Sequence, residues 1–349
     1  MNASRQSLSM ETLRGLACIL LVAYHVVGSE TSNGLRLPTE HFLHDFNDAL
    51  SHLRMPLFTF ISGYVYCYRP LSGAAGRFLL GKLRRLGLPL LVVATLFALV
   101  QYLTPGTNES QAPGELWRIY LYPFAHFWFL QALLVVFALV ALLEYSGVTR
   151  TTRGLLAVLL ALWVFYPHRQ QLPNIFSLQQ AFYLFPHFLL GVLYHRVLEA
   201  RVQMQRRLTL QMLALLCLGL LTFTPVLNDT QTLSYLSLGF SILLLLLLAG
   251  TDVHGPILAR LGAYSFAIYL LHVFFTAAMR MVLERVGVGH TLPNVALGLT
   301  AGLLGPVLVY RACRPLPWAR LLLFGQSLPR RKVARGPLPT ARGFPPSAD

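Results

Sequence analysis

The chain has 349 residues, of which 55% are hydrophobic and only 12% are charged, with a mean hydropathy of +0.58. Soluble globular domains carry about a quarter charged residues, so this composition excludes that class and indicates a polytopic membrane protein. The formal net charge of +15 does not point to nucleic acid, because the cations sit in particular short loops and near the C-terminus, as membrane topology requires.

About ten apolar spans follow one another, near 13–29, 46–68, 87–103, 126–145, 154–167, 181–196, 209–225, 233–250, 262–283 and 293–311. Each is close to the ~20 residues needed to cross a bilayer, although Pro167, Pro173 and Pro186 interrupt the fifth and sixth. The segment before Leu13 is short and polar, and no small-residue cleavage site follows the first span, which therefore reads as a retained anchor. Clusters of cations follow the second, fourth and sixth spans and Arg260 follows the eighth, while the alternate loops hold most of the acids: Glu30, Glu40, Asp45, Asp48, Glu109, Glu115 and Asp229. That alternation places both termini in the cytoplasm. The expected architecture is all-α: a membrane domain over 1–325 and a disordered, basic, Pro- and Gly-rich cytoplasmic tail over 326–349. No internal repeat supports an inverted-repeat transporter. Cys18, Cys67, Cys217 and Cys313 have no metal-like spacing and read as small hydrophobes, so no metal site is expected.

The first span, LRGLACILLVAYHVVG, holds an ionisable pair, Arg14 and His25. Eleven residues of helix rise about 16 Å and return to within roughly 20° of the starting face. Arg14 therefore lies at the inner membrane surface and His25 near mid-bilayer on the same face. Ionisable groups at that depth usually face a bundle interior or a water-filled cavity. The second span contains Arg54 toward its outer end, Pro56, and a Ser62-Gly63 step suited to close helix packing.

The inner loop that follows, FLLGKLRRLGLP, carries Lys82, Arg84 and Arg85. Positive-inside topology accounts for it, and it would equally suit the phosphates of a cytosolic coenzyme. The fourth span opens with HFWFLQ, where His126 and Trp128 suit an interfacial belt or a platform for a sugar ring. In the ninth span Ser265, Tyr269 and His272 share a face. His272 lies twelve residues beyond Arg260, at a depth similar to that of His25.

Taken together, Arg14 and His25, PLFTFISGY, KLRRLGLP, HFWFL and SFAIYLLH resemble, in order, the acyltransferase-3 family of integral membrane acyltransferases, from Leu13 to about Arg311. The family's paired arginines after the second span correspond to Lys82 and Arg85; lysine keeps the charge but not the planar fork. The resemblance implies an enzyme of the bacterial inner membrane that moves an acyl group, commonly acetyl, from cytosolic acyl-CoA to a hydroxyl of an extracytoplasmic glycan or glycolipid. It requires no permanently bound cofactor, and the extracytoplasmic esterase-like domain of some members is not expected here. Carried onto this chain, His25 is the expected general base, Arg14 a further catalytic residue at the other end of the same face, and His272 and Tyr269 would orient the base or stabilise charge on the thioester oxygen. Arg14, Lys82, Arg84 and Arg85 would meet the coenzyme phosphates, and Arg54, His126 and Trp128 would receive the acceptor. The physics of intramembrane Arg and His also admits a transporter of a lipid-linked sugar or small anion, with Arg14 and His25 lining its path.

Overall fold

The computed structural model describes residues 3–38, 40–108, 112–199, 230–250 and 253–328. The expected span near 209–225, Arg201, Arg206, Arg207, Cys217, Glu109, Asp229 and all but the first three residues of the expected tail lie outside the described residues. The described chain is helical: α1 (Ala3–Val27), α2 (Phe42–Ala49), α3 (Ser51–Tyr66), α4 (Ala75–Lys82), α5 (Leu88–Leu103), the short α6 (Arg118–Leu121), α7 (Trp128–Tyr145), α8 (Thr152–Phe165), α9 (Leu178–Leu193), α10 (Thr230–Gly250), α11 (Pro256–Ala263), α12 (Ser265–Arg285), α13 (Thr291–Ala312) and α14 (Pro317–Phe324).

Among the described residues six stretches are long and apolar enough to cross a membrane: Leu8–Val27, Ala75–Leu103, Pro113–Tyr145, Leu178–Leu198, Ser265–Arg285 and Thr291–Ala312. This makes a multi-pass membrane protein. The sequence led to an expectation of about ten spans, and the remaining expected spans among the described residues are helices of shorter apolar length. The stretch 46–68, expected as one span, is two helices that meet at Leu50. Likewise α11 ends and α12 begins at Tyr264, at the start of the expected ninth span.

The basic segment KLRRLG is not a loop. It forms a widened, π-helical turn, Leu83–Gly87, that joins α4 to α5 in one continuous rod. Pro89 explains the distortion, because it has no N–H to offer the carbonyl four residues back and its ring crowds that carbonyl. The Leu88 N–H closes the wider ring on the Leu83 carbonyl instead.

Two helix crossings position the site, and both depend on missing side chains. At the α1–α11 crossing, a Cβ on Gly15 would fall 1.9 Å from the Leu258 carbonyl oxygen, and one on Gly262 would fall 2.0 Å from that of Glu11. At the α3–α9 crossing, a Cβ on Gly63 would fall 1.9 Å from the Phe188 carbonyl oxygen, and one on Gly191 would fall 2.0 Å from that of Phe60. Small residues allow this backbone approach in a medium where hydrophobicity does not drive helices together, so Gly63 acts in packing. Beyond α11, α1 also packs against α3, α12 and α13, which makes it the central helix of the site.

Candidate active site

Three histidines from three separate segments meet beside α1. His25 projects from α1, His272 from α12, and His126 from a short 3-10 turn, Ala125–Phe127, that leads into α7. The ring centroid of His25 lies 4.8 Å from that of His272 and 5.9 Å from that of His126, and the latter two are 5.0 Å apart. His126 and His272 are buried, at 3% and 0% exposure, while His25 is half-buried. The turn that aims His126 inward uses a left-handed backbone at Ala125 (φ 42°), a conformation that costs energy outside glycine. The buried Gln131 holds this region: its amide donates to the carbonyls of Ile119, Tyr120 and Tyr122 (3.1–3.2 Å), and its oxygen accepts from the Ser177 hydroxyl at 2.6 Å.

Backbone carbonyls fix the state of two of the rings. His272 Nδ1 lies 2.9 Å from the carbonyl oxygens of both Ile268 and Tyr269. Carbonyls only accept, so Nδ1 carries the proton and Nε2 keeps a lone pair. His126 Nε2 lies 3.2 Å from the Leu270 carbonyl, which assigns its proton to Nε2 and leaves Nδ1 as an acceptor. Both lone-pair nitrogens, His272 Nε2 and His126 Nδ1, are buried without a hydrogen-bond partner. The Tyr269 hydroxyl donates to the backbone carbonyl of His126, so Tyr269 acts on the cluster by holding His126. An N–H of His25 turned toward either free nitrogen leaves the other nitrogen of His25 as a lone pair for an incoming proton.

His25 and His126 lie on the wall of a cavity of about 510 Å³, within the 300–1,000 Å³ typical of small-ligand sites. Tyr24, Phe97 and Phe274 supply aromatic surface, and Asn33, Gln101, Asn108 and Asn294 supply amides. The cavity is also bordered by the segment after α1 and by Thr104–Asn108 after α5. The Gln101 side-chain oxygen is buried and has no hydrogen-bond partner.

Arg280 is a cavity residue that the sequence reading passed over. It is 6% exposed and donates to Glu284 Oε1 (2.7 Å) and to the Gly106 carbonyl (3.1 Å). Thr276 and Arg280 follow His272 at four-residue steps on α12, a spacing that keeps them on one flank, and this was the available signal.

The opposite end of the α1 face is basic. Arg14 pairs with Glu11 at 2.6 Å, and among the described residues Glu11 is the one carboxylate in salt-bridge contact with Arg14, Lys82, Arg84 or Arg85. Arg85 lies within electrostatic range of Arg14 and Arg84, and its guanidinium sits 5.3 Å from the Phe266 ring. The Lys82 ammonium rests over the rings of Phe137 (3.7 Å) and Phe78 (5.0 Å), while Arg84 is exposed.

Of the three residues expected to receive the acceptor, His126 lines the cavity, whereas Arg54 and Trp128 stand apart from its wall. Arg54, 7% exposed, donates to the Asn47 carbonyl at 2.9 Å and lies 3.9 Å over the Tyr24 ring. Tyr24 meets His25 edge to face at 4.9 Å, so Arg54 backs the cluster through Tyr24. Trp128 is half-buried with its ring 6.0 Å from that of Phe129, outside the cavity lining. Among the described residues no three His, Cys, Asp or Glu side chains are arranged to hold a metal ion.

Residues 7–311 match the family model of the acyltransferase domain called acyltransferase-3. No curated protein and no solved structure matches the chain.

Proposed function

The chain belongs to the acyltransferase-3 family, and from that premise we propose that it is an O-acyltransferase of the bacterial inner membrane, moving an acyl group, acetyl in the first instance, from cytosolic acyl-CoA to a hydroxyl of an extracytoplasmic glycan or glycolipid. The observation that carries this reading is the geometry of α1. One end of its face presents His25 to a cavity beside two buried histidines of fixed tautomer, and the other end presents Arg14 within electrostatic range of Arg85.

In this reading both termini are cytoplasmic, residues 1–325 form the membrane domain of about ten spans, and 326–349 form its cytoplasmic tail. The coenzyme phosphates meet Arg14, Lys82, Arg84 and Arg85 through charge-assisted hydrogen bonds. A flexible pantetheine arm follows the face of α1 over about 16 Å and brings the thioester to His25. The acceptor occupies the cavity. Its hydroxyl oxygen forms a bond to the thioester carbonyl carbon as His25 removes the hydroxyl proton. The tetrahedral intermediate then expels the coenzyme thiolate by cleavage of the C–S bond, and the thiolate takes the proton from His25. His272 and His126 orient the His25 ring, Tyr269 holds His126, and Arg54 braces Tyr24 against His25. Gln101 and the free nitrogen of His126 accept hydrogens, which suits a hydroxyl-rich acceptor.

The test uses membranes that retain their native glycans, carrying wild type or His25→Ala at equal levels, incubated with radiolabelled acetyl-CoA and then with succinyl-CoA and longer donors. Base-labile label on a glycan fraction, present with wild type and absent with His25→Ala, is the expected result. Failure of every donor would give the site to the transporter reading, in which substrate moves without covalent change.

A further inference from the structure

The last described helix lies outside the family match, which stops at residue 311, yet it is built into the basic end of the site. The helix α14 begins at Pro317, and Phe324 at its end is 1% exposed with its ring 5.0 Å from that of Tyr310. The next residue, Gly325, turns the chain with a left-handed backbone (φ 61°). That turn lies directly on the π-helical turn: a Cβ at position 325 would fall 2.4 Å from the Arg84 carbonyl oxygen and 2.6 Å from Arg85 Cα. Gln326 locks the arrangement by accepting from Arg320 Nε at 2.7 Å and donating to the Tyr310 hydroxyl at 2.8 Å. Tyr310 itself lies within electrostatic range of Arg85.

A π-helical turn is an unstable element that persists where its surroundings hold it, and such turns recur at functional sites. Here the holder is identifiable. Pro89 removes the regular hydrogen bond, and the turn at Gly325 rests against the backbone of the two arginines from outside the α4–α5 rod. Only a residue without a side chain fits in that contact, and only glycine adopts the required φ without strain.

We propose that α14 and the Gly325–Gln326 turn form a clasp that fixes the Arg84–Arg85 backbone in the arrangement that binds the donor's phosphates, with Gly325 and Gln326 as positioning residues for donor affinity. This rests on the acyl-CoA reading given above. The clasp touches neither the cavity nor the histidine cluster, so it affects donor binding and leaves the chemical step alone.

The experiment uses the full chain in membranes as wild type, Gly325→Val and the milder Gln326→Ala, with two readouts. The first is initial rates against acetyl-CoA concentration, together with inhibition by CoA and by 3′-dephospho-CoA. The clasp predicts that KM for acetyl-CoA rises about tenfold in Gly325→Val, the cost of about one charge-assisted hydrogen bond, and by less in Gln326→Ala. It also predicts kcat within about twofold of wild type and a narrowed difference between the two inhibitors. The second readout is tryptic cleavage after Arg84 and Arg85 in membranes open on both faces, because trypsin needs the turn to open locally. It is expected to be slow in wild type and faster in both variants. Unchanged cleavage and unchanged KM in both variants would overturn the clasp, as would a loss of kcat with KM unaltered. Accelerated cleavage in membranes whose wild type turns over no acetyl-CoA would overturn the donor role while leaving the clasp in place.

Discussion

The two ends of α1 are held by different means. Around His25 the partners are fixed by backbone: His272 by two carbonyls, His126 by the Leu270 carbonyl, and Tyr269 by the carbonyl of His126. Around Arg14 the groups are charged, partly exposed and propped by aromatic faces, with Lys82 on Phe137 and Arg85 near Phe266. Proton transfer tolerates little displacement, whereas attraction between a phosphate and several cations falls off gradually with distance. A rigid end and an adaptable end on one helix therefore suit an enzyme that performs chemistry at one and holds a long, flexible donor at the other.

The sharpest way to break this comparison is to remove the proposed base. His25→Ala is expected to lower the transfer rate by about 10³-fold, within the range for loss of a general base, while a half-buried position on a cavity wall leaves folding intact. The readouts are the initial rate per unit of membrane protein and the elution profile in detergent. A residual rate above a tenth of wild type would remove His25 from the chemistry.

Arg14→Ala comes next. Loss of one charged contact is worth roughly 1.5–3 kcal/mol, or about 10- to 100-fold in kcat/KM for the donor. Most of it should appear in KM if the basic end serves binding. Arg14→Lys should recover part of it, since the charge returns without the fork.

How far these roles could be read from the sequence follows the same division. Helix rise counted from Arg14 and from Arg260 puts His25 and His272 at similar depth; the second count crosses the break at Tyr264, and the two rings nevertheless lie 4.8 Å apart. Ser62-Gly63 read as a close-packing step, and Gly63 lies at the α3–α9 crossing. The position of His126 was hidden, because its interfacial sequence context suited a surface belt while its contact, the Leu270 carbonyl, is 144 residues away. The π-helical turn was also hidden. Cations before a proline read as a loop, and only the continuity of α4 and α5 shows the chain passing through it as helix. Beyond its spacing from His272, Arg280 carries no signal of its inward turn: a cation near a helix end ordinarily snorkels to the surface, whereas here it turns inward to Glu284 and the Gly106 carbonyl.

Gly63→Val separates packing from chemistry. The added side chain meets the Phe188 carbonyl, and overpacking of this kind costs about 1–3 kcal/mol or more. The expected outcome is a lower unfolding temperature and lower yield in detergent, with near-normal activity per folded molecule; a specific loss of turnover at full stability would give Gly63 a role in the site. Gln101→Leu should be milder. Loss of one neutral hydrogen bond, about 0.5–1.5 kcal/mol, predicts a several-fold rise in acceptor KM and an unchanged KM for the donor. The smallest effect is expected at Trp128→Phe, outside the cavity lining, where acceptor kinetics should stay within about twofold because the ring's apolar contact is largely kept.

The claim that one helix connects a donor on the basic side to an acceptor on the other is tested most directly by sidedness. Sealed vesicles of both orientations, prepared from the same membranes with their glycans, would receive labelled acetyl-CoA from outside only. Base-labile label on glycan is expected in inverted vesicles, whose cytoplasmic face is outward, and little in right-side-out vesicles until they are permeabilised. Equal labelling of intact right-side-out vesicles would contradict it, because the donor would then reach the histidine cluster without passing Arg14 and Arg85.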